Sequence, residues 1–288
     1  VFFIRIAVAV SPISKTVPGW VYLSVVTNIV LGTTLGLWFL GDRYFTETLL
    51  NPPASRTSPV AKAVETPQIV ANAASMPMGR SLTYQDWVDL LDKEAQAMIK
   101  QKPDRLIVMA GDSLTLWFPQ DLLPSDRTWL NQGISGETAS GLAKRLNLFD
   151  QTKPEAIFVM VGINDLLKGN AEQEVLEAQA EIIAALKKAH PKSTIVLQSL
   201  LPRAKEEITV ANATQVEALS NARIHQFNRR LAALADQANV EFLDLQPLFA
   251  DKEGFLRSDL TTDGLHLSTQ GYLVWRSAIQ TFNQLAFR

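Results

Sequence analysis

The sequence predicts an α/β domain whose parallel sheet is covered by helices on both faces. Five short, largely apolar runs recur along the chain: RLIVMAG (105–111), WLNQGI (129–134), AIFVMVG (156–162), TIVLQSLL (194–201) and VEFLDL (240–245). Strands that are apolar throughout, rather than alternating, are those buried on both sides. Helical stretches separate the runs, as the crossovers of a parallel sheet require. The 208 residues from 81 to 288 suffice for one such domain, burying roughly 70% of the unfolded surface.

The elements follow in order. Thr83 caps a helix over YQDWVDLLDKEAQAMIKQ, with Asp86 three residues later completing a variant capping box. Helices are expected over 138–149, 172–189 and 214–238. In the second of these Val175, Leu176, Ile182, Ile183 and Leu186 recur at helical spacing. A last helix covers about 268–285. No internal repeat is visible.

The first 80 residues read differently. Between Lys15 and Asp42 there is no charged residue, and Trp20 to Leu40 forms a 21-residue apolar run. As a helix it is about 32 Å long, close to the ~30 Å hydrocarbon core of a bilayer. Trp20, Tyr22, Trp38 and Tyr44 lie near its ends, where aromatic belts form. A secretory signal has a shorter apolar region and a small-residue cleavage site. LWFLGDRYF offers none, so an uncleaved anchor is expected within residues 1–45. Arg5 and Lys15 before the span place the N-terminus in the cytoplasm and the remainder outside. Residues 46–80 hold five prolines and no aromatic side chain, the composition of a disordered tether. Residues 81–288 form the folded domain.

Composition narrows the chemistry. The chain has 27 basic and 29 acidic residues, no cysteine and three histidines. Without its first 80 residues it keeps 21 basic against 26 acidic side chains, which excludes the basic footprint of a nucleic-acid binder. The lack of cysteine rules out disulfides, thiolate metal sites and a cysteine nucleophile. No metal or organic cofactor is called for.

In open α/β sheets, sites form where strands end at their carboxyl edge. That rule selects Gly111-Asp112-Ser113-Leu114, Gly133-Ile134-Ser135-Gly136-Glu137 and Gly162-Ile163-Asn164-Asp165. Ser113 is either an exposed nucleophile or a helix cap. Gly136 offers a backbone N–H or is an ordinary turn glycine, and Asn164 offers an amide or forms an Asx turn. His266, three residues after Asp263, can serve as a base with its orienting carboxylate. His190 sits at a helix end, where a cation suits the dipole, and His225 lies inside a helix among polar neighbours.

Together the blocks GDSL (111–114), NQGISGET (131–138), GIND (162–165) and DGLH (263–266) resemble the SGNH hydrolase superfamily of GDSL esterases and lipases, in the order and near the spacing of that family. The resemblance covers nearly all of 105–285. It implies a flavodoxin-like three-layer α/β/α sandwich and a serine ester hydrolase. Ser113 would then be the nucleophile, His266 the base and Asp263 its orienter. The oxyanion hole would be formed by the N–H groups of Ser113 and Gly136 and the Asn164 side chain. The small esterases of this superfamily imply a lysophospholipid, a short-chain acyl ester or an O-acetyl group as substrate. An O-acetyltransferase using the same triad and a catalytically silent envelope-binding module are the alternatives. Leu114, Leu116, Trp117, Phe118, Leu122 and Leu123 either line an acyl pocket or pack on the sheet, the latter being the plainer expectation.

Overall fold

A computed structural model of the chain describes residues 82–206 and 208–287. The span expected at 20–40 and the tether expected at 46–80 lie outside them. No helix among the described residues is long and apolar enough to cross a membrane.

Helix α1 (Tyr84–Gln101) begins with the predicted capping box: Thr83 and Asp86 satisfy each other's backbone N–H groups. It leads into β1 (Leu106–Gly111), and β2 (Thr128–Gly133), β3 (Ala156–Met160), β4 (Thr194–Gln198) and β5 (Glu241–Leu243) follow. All pair in parallel in the order β2-β1-β3-β4-β5, so the chain reverses its winding direction between β1 and β3. Every residue of β1 and β3 is buried, as their unbroken apolar sequences demand.

Alternation along the strands sorts the helices into two layers. Phe158 of β3 meets Phe282, and Gln198 of β4 accepts a hydrogen bond from the Trp275 indole at 2.7 Å. Both partners belong to α9 (Thr269–Ala286). On the opposite face, Gln132 of β2 donates to the Leu91 carbonyl of α1 at 3.2 Å. That face also carries α3 (Ala139–Ala143), α5 (Glu172–Ala189) and α7 (Asn221–Ala238), which pack successively against one another.

Several elements depart from the sequence reading. The helix expected over 138–149 is α3 followed by a 3₁₀ turn at Leu146–Phe149. Arg145 leaves helical geometry between them (φ −121°, ψ 11°), which turns its side chain beneath the ends of β1 and β2. The helix expected over 214–238 is broken into α6 (Ala213–Ala218) and α7. At the break, Leu219 gives its carbonyl to Arg203 and Ser220 caps α7. Strand β4 stops at Gln198, because the Asn228 side chain takes both backbone groups of Leu200. Short helices follow three strand ends: α2 (Ser113–Leu116), whose start the reading of Ser113 anticipates, and α4 (Ile163–Leu167) and α8 (Gln246–Phe249), which it does not.

Gly111 closes β1 where the backbone has no room for a side chain. A Cβ there would run into the Met160 carbonyl oxygen of β3 and the Thr115 hydroxyl. Gly111→Ala is therefore expected to cost about 1–3 kcal/mol through overpacking. Urea denaturation checks this, and a wild-type midpoint would contradict the close packing.

Candidate active site

The carboxyl ends of β1, β2 and β3 deliver three loops to one edge, and the chain between α8 and α9 supplies a fourth. In the first loop Asp112 is the N-cap of α2, its carboxylate accepting from Leu114 N–H at 3.0 Å. Ser113 is thus the first helical residue and not the cap. Its own N–H is among the first-turn amides that lack a carbonyl partner within the helix.

The Ser113 Oγ lies 3.0 Å from His266 Nε2, and His266 Nδ1 lies 2.7 Å from Asp263 Oδ2. The other Asp263 oxygen accepts the backbone N–H groups of Leu265 and His266 at 3.0 and 2.8 Å. Burial raises the affinity of Asp263 for a proton, but the His266 ring and these two amides outweigh it and hold the carboxyl below its ordinary range. An ionised Asp263 fixes a proton on His266 Nδ1, leaving Nε2 as acceptor toward Ser113. The hairpin 261–267 is pinned by Thr261, whose hydroxyl donates to the His266 carbonyl at 2.6 Å and accepts from Gly264 N–H at 3.0 Å.

Gly136 occupies a turn closed by a Glu137 N–H to Ile134 carbonyl hydrogen bond, with φ +76°. An L side chain rarely adopts this conformation. Asn164 lies within α4, not in an Asx turn. Its amide donates to the Glu137 carbonyl at 3.0 Å, a bond that uses one of two N–H groups. The structure therefore brings Ser113, His266 and Asp263 into one relay and ties Asn164 to the loop that carries Gly136.

The other histidines stand apart. His190 is buried and stacks on Phe149 with centroids 5.8 Å apart. Burial lowers its pKa more than Asp150 raises it, so the expected helix-end cation is instead a ring biased toward its neutral form. His225 Nδ1 bonds Gln246 Oε1 at 2.7 Å. Leu114 and Phe118 are core residues, the latter packed on Tyr272 and Trp275, and Leu122 and Leu123 pack against the core. Trp117 is the exception. It is 49% exposed, with its ring centroid 4.3 Å from that of His266. No group of three or more metal-binding side chains occurs among the described residues.

Beneath the loops lies a polar layer that the sequence reading did not single out. Arg145 and Glu137 form a buried ion pair at 2.6 Å, and Tyr84 OH donates to the same carboxylate at 3.2 Å. Asp165 accepts the Ala139 N–H at 2.9 Å. One signal was available for Arg145: a cation between Leu142, Leu146 and Phe149, on what is otherwise an apolar helical face.

The family model of the GDSL-like Lipase/Acylhydrolase family matches residues 78–274. The chain belongs to this family. It is a member of the SGNH hydrolase superfamily, and its family is one of hydrolases. Platelet-activating factor acetylhydrolase IB subunit alpha1 of Bos taurus is 26% identical over 197 residues, covering 65% of this chain and 77% of its own. N-acylneuraminate cytidylyltransferase of Streptococcus agalactiae serotype V is 24% identical over 191 residues; the match covers 66% of this chain but only 43% of the relative. A Streptococcus pneumonia protein with the provisional designation platelet activating factor superposes with a TM-score of 0.62 at 28% identity, covering 69% of this chain and 93% of its own. A GDSL-like lipase from Bacteroides thetaiotaomicron VPI-5482 shares the fold, with a TM-score of 0.57, 19% identity and coverage of 69% and 98%.

One electrostatic consequence is testable. Burial pushes the Asp112 carboxyl from the ordinary 3.8 up to about 7; the Leu114 N–H opposes this, while Asp165 and Glu137 add to it. A raised folded-state pKa means that the folded protein binds more protons than the unfolded chain between about pH 4 and 7. Asp112 therefore favours folding at low pH and loses that contribution as pH rises through 7. Asp112→Asn keeps the cap acceptor and removes the ionisation. Its stability relative to wild type should climb from pH 4 to 7 and then level, as followed by thermal melts; a pH-independent difference would refute the assignment.

Proposed function

We propose that this GDSL-like family member is a serine ester hydrolase that removes a short acyl group through an acyl-serine intermediate. The observation that carries the reading is the continuous relay from Ser113 through His266 to Asp263. His266 Nε2 takes the Ser113 proton as Oγ attacks the ester carbonyl. The resulting oxyanion is held by the N–H groups of Ser113 and Gly136 and the free N–H of Asn164. The tetrahedral intermediate collapses, His266 protonates the departing alcohol, and an acyl-Ser113 remains. Water, deprotonated by His266, then releases the acid and regenerates the serine. Each step uses side chains and backbone N–H groups of this chain together with one water.

Two features support a short acyl group. Of the apolar residues after the nucleophile, Leu114 and Phe118 are buried in the core and are not free to line an acyl pocket. The acetylhydrolase relatives are named for acetyl removal. The exposed face of Trp117 beside His266 offers an apolar wall for the alcohol portion, whether a lipid headgroup or a sugar ring. The charge-free run at 20–40 supports a membrane anchor with the catalytic domain outside the cytoplasm.

Ser113→Ala should abolish turnover with an unchanged melting curve; full activity in that variant would sink the assignment. Asp263→Asn should lower kcat on the order of 10³–10⁴-fold, because the ring loses the partner that fixes its tautomer. A series of p-nitrophenyl esters from acetate to palmitate should favour acetate, with preference for palmitate refuting the short-acyl reading. Parallel assays on a short-acyl phospholipid and an acetylated glycan identify the alcohol.

A further inference from the structure

The loop that carries Gly136 is supported from below by one guanidinium. Arg145, 4% exposed, donates from Nε to Glu137 Oε2 at 2.6 Å. From Nη2 it donates to the Gln132 carbonyl at 2.9 Å and the Gly111 carbonyl at 3.3 Å. Those carbonyls belong to the last residue of β1, two before Ser113, and to β2, four before Gly136. Glu137, directly after Gly136, is held in turn by Tyr84 OH, by its neighbour Thr138 N–H at 3.2 Å, and through its carbonyl by Asn164. One planar cation thus joins the nucleophile strand, the neighbouring strand and the glycine loop.

We propose that Arg145 and Glu137, closed by Tyr84, are positioning residues that set the Gly136 N–H relative to Ser113 for the tetrahedral intermediate. None of the three touches Ser113 Oγ or the His266 ring in the structure, so their effect is exerted through the backbone. The proposal rests on the reading of Ser113 and Gly136 as nucleophile and oxyanion donor. Its physical basis is the steep dependence of such stabilisation on geometry: an ångström of misplacement costs about 10²-fold in rate. A donor displaced from the oxyanion but not from the bound ester lowers kcat and leaves KM in place.

Lysine cannot form the guanidinium fork, so Arg145→Lys keeps the charge but cannot hold both carbonyls and the carboxylate in one plane. Its kcat on p-nitrophenyl acetate should fall about 10–100-fold with KM within about threefold, and Arg145→Met should fall further. Tyr84→Phe removes a single hydroxyl from a residue that is 50% exposed, so it tests the proposal even if the arginine variants unfold. It should lower kcat about 2–5-fold at constant KM.

Arg127→Met supplies the control. That arginine pairs with Glu155 at 3.2 Å just before β2 begins, at the sheet edge opposite the site, so its loss should lower the melting temperature without changing kcat. Fluorophosphonate labelling of Ser113 is measured on every variant. A labelled, active wild type alongside Arg145→Lys and Tyr84→Phe at undiminished kcat overturns the proposal. If the arginine variants do not fold, undiminished Tyr84→Phe overturns it alone. A folded wild type that neither labels nor turns over esters removes the catalytic reading, and the proposal with it.

Discussion

The hydrogen bond between Ser113 and His266 joins residues 153 positions apart, and it depends on how α9 is fastened to the sheet. Trp275, fully buried, donates its indole N–H to Gln198 of β4, and Phe282 meets Phe158 of β3 edge-on. Near the start of the helix, Tyr272 donates its hydroxyl to the Leu114 carbonyl at 3.1 Å, within one residue of the serine. These contacts fix the N-terminal end of α9, and Ser268 caps it. His266 stands two residues ahead of that cap, so its position is inherited from the packing of the helix behind it. Loops bearing reactive groups gain precision when rigid elements bracket them closely.

The parallel topology explains why the other groups converge. Strands β1, β2 and β3 are neighbours running the same way, so the residues after each necessarily emerge at one edge. Reversal of winding between β1 and β3 separates the crossovers on the two faces and opens a crevice at that edge. Ser113 follows β1 and Asn164 follows β3, one on each side of the reversal.

Much of this was legible in the sequence, for reasons that differ by element. Strands β1 and β3 were readable because burial on both faces leaves no polar position to interrupt them. Helix α5 matched its expected bounds, since its apolar residues recur at helical spacing from Val175 to Leu186 and its neighbours break cleanly. The four blocks exposed the relay residues because Ser113, Asp263 and His266 belong to short local patterns. Helix α4 escaped and only the start of α2 was signalled, by Ser113, as four or five residues are too few to display a helical period. The break before α7 is held by Arg203 and Asn221 across the fold, and its one local signal, the Ser220 cap, lies inside a stretch that otherwise reads as continuous helix. Tyr84, Glu137 and Arg145 escaped for the same reason: they lie far apart or read as ordinary surface charge until the chain folds.

The polar layer formed by those residues is hard to explain by stability alone. An ion pair with both partners 4% exposed loses nearly all its hydration, and buried pairs can often be replaced by apolar residues at little cost. An apolar substitute, however, would also remove the hydrogen bonds that the Gly111 and Gln132 carbonyls accept from Nη2. What the guanidinium supplies, and a hydrocarbon cannot, is a set of directed bonds in one plane. Those bonds brace the ends of β1 and β2, already joined by the Ile134 N–H to Gly111 carbonyl hydrogen bond, against Glu137 beside Gly136. In its proposed positioning role, such a residue controls geometry at the Gly136 loop rather than free energy of folding.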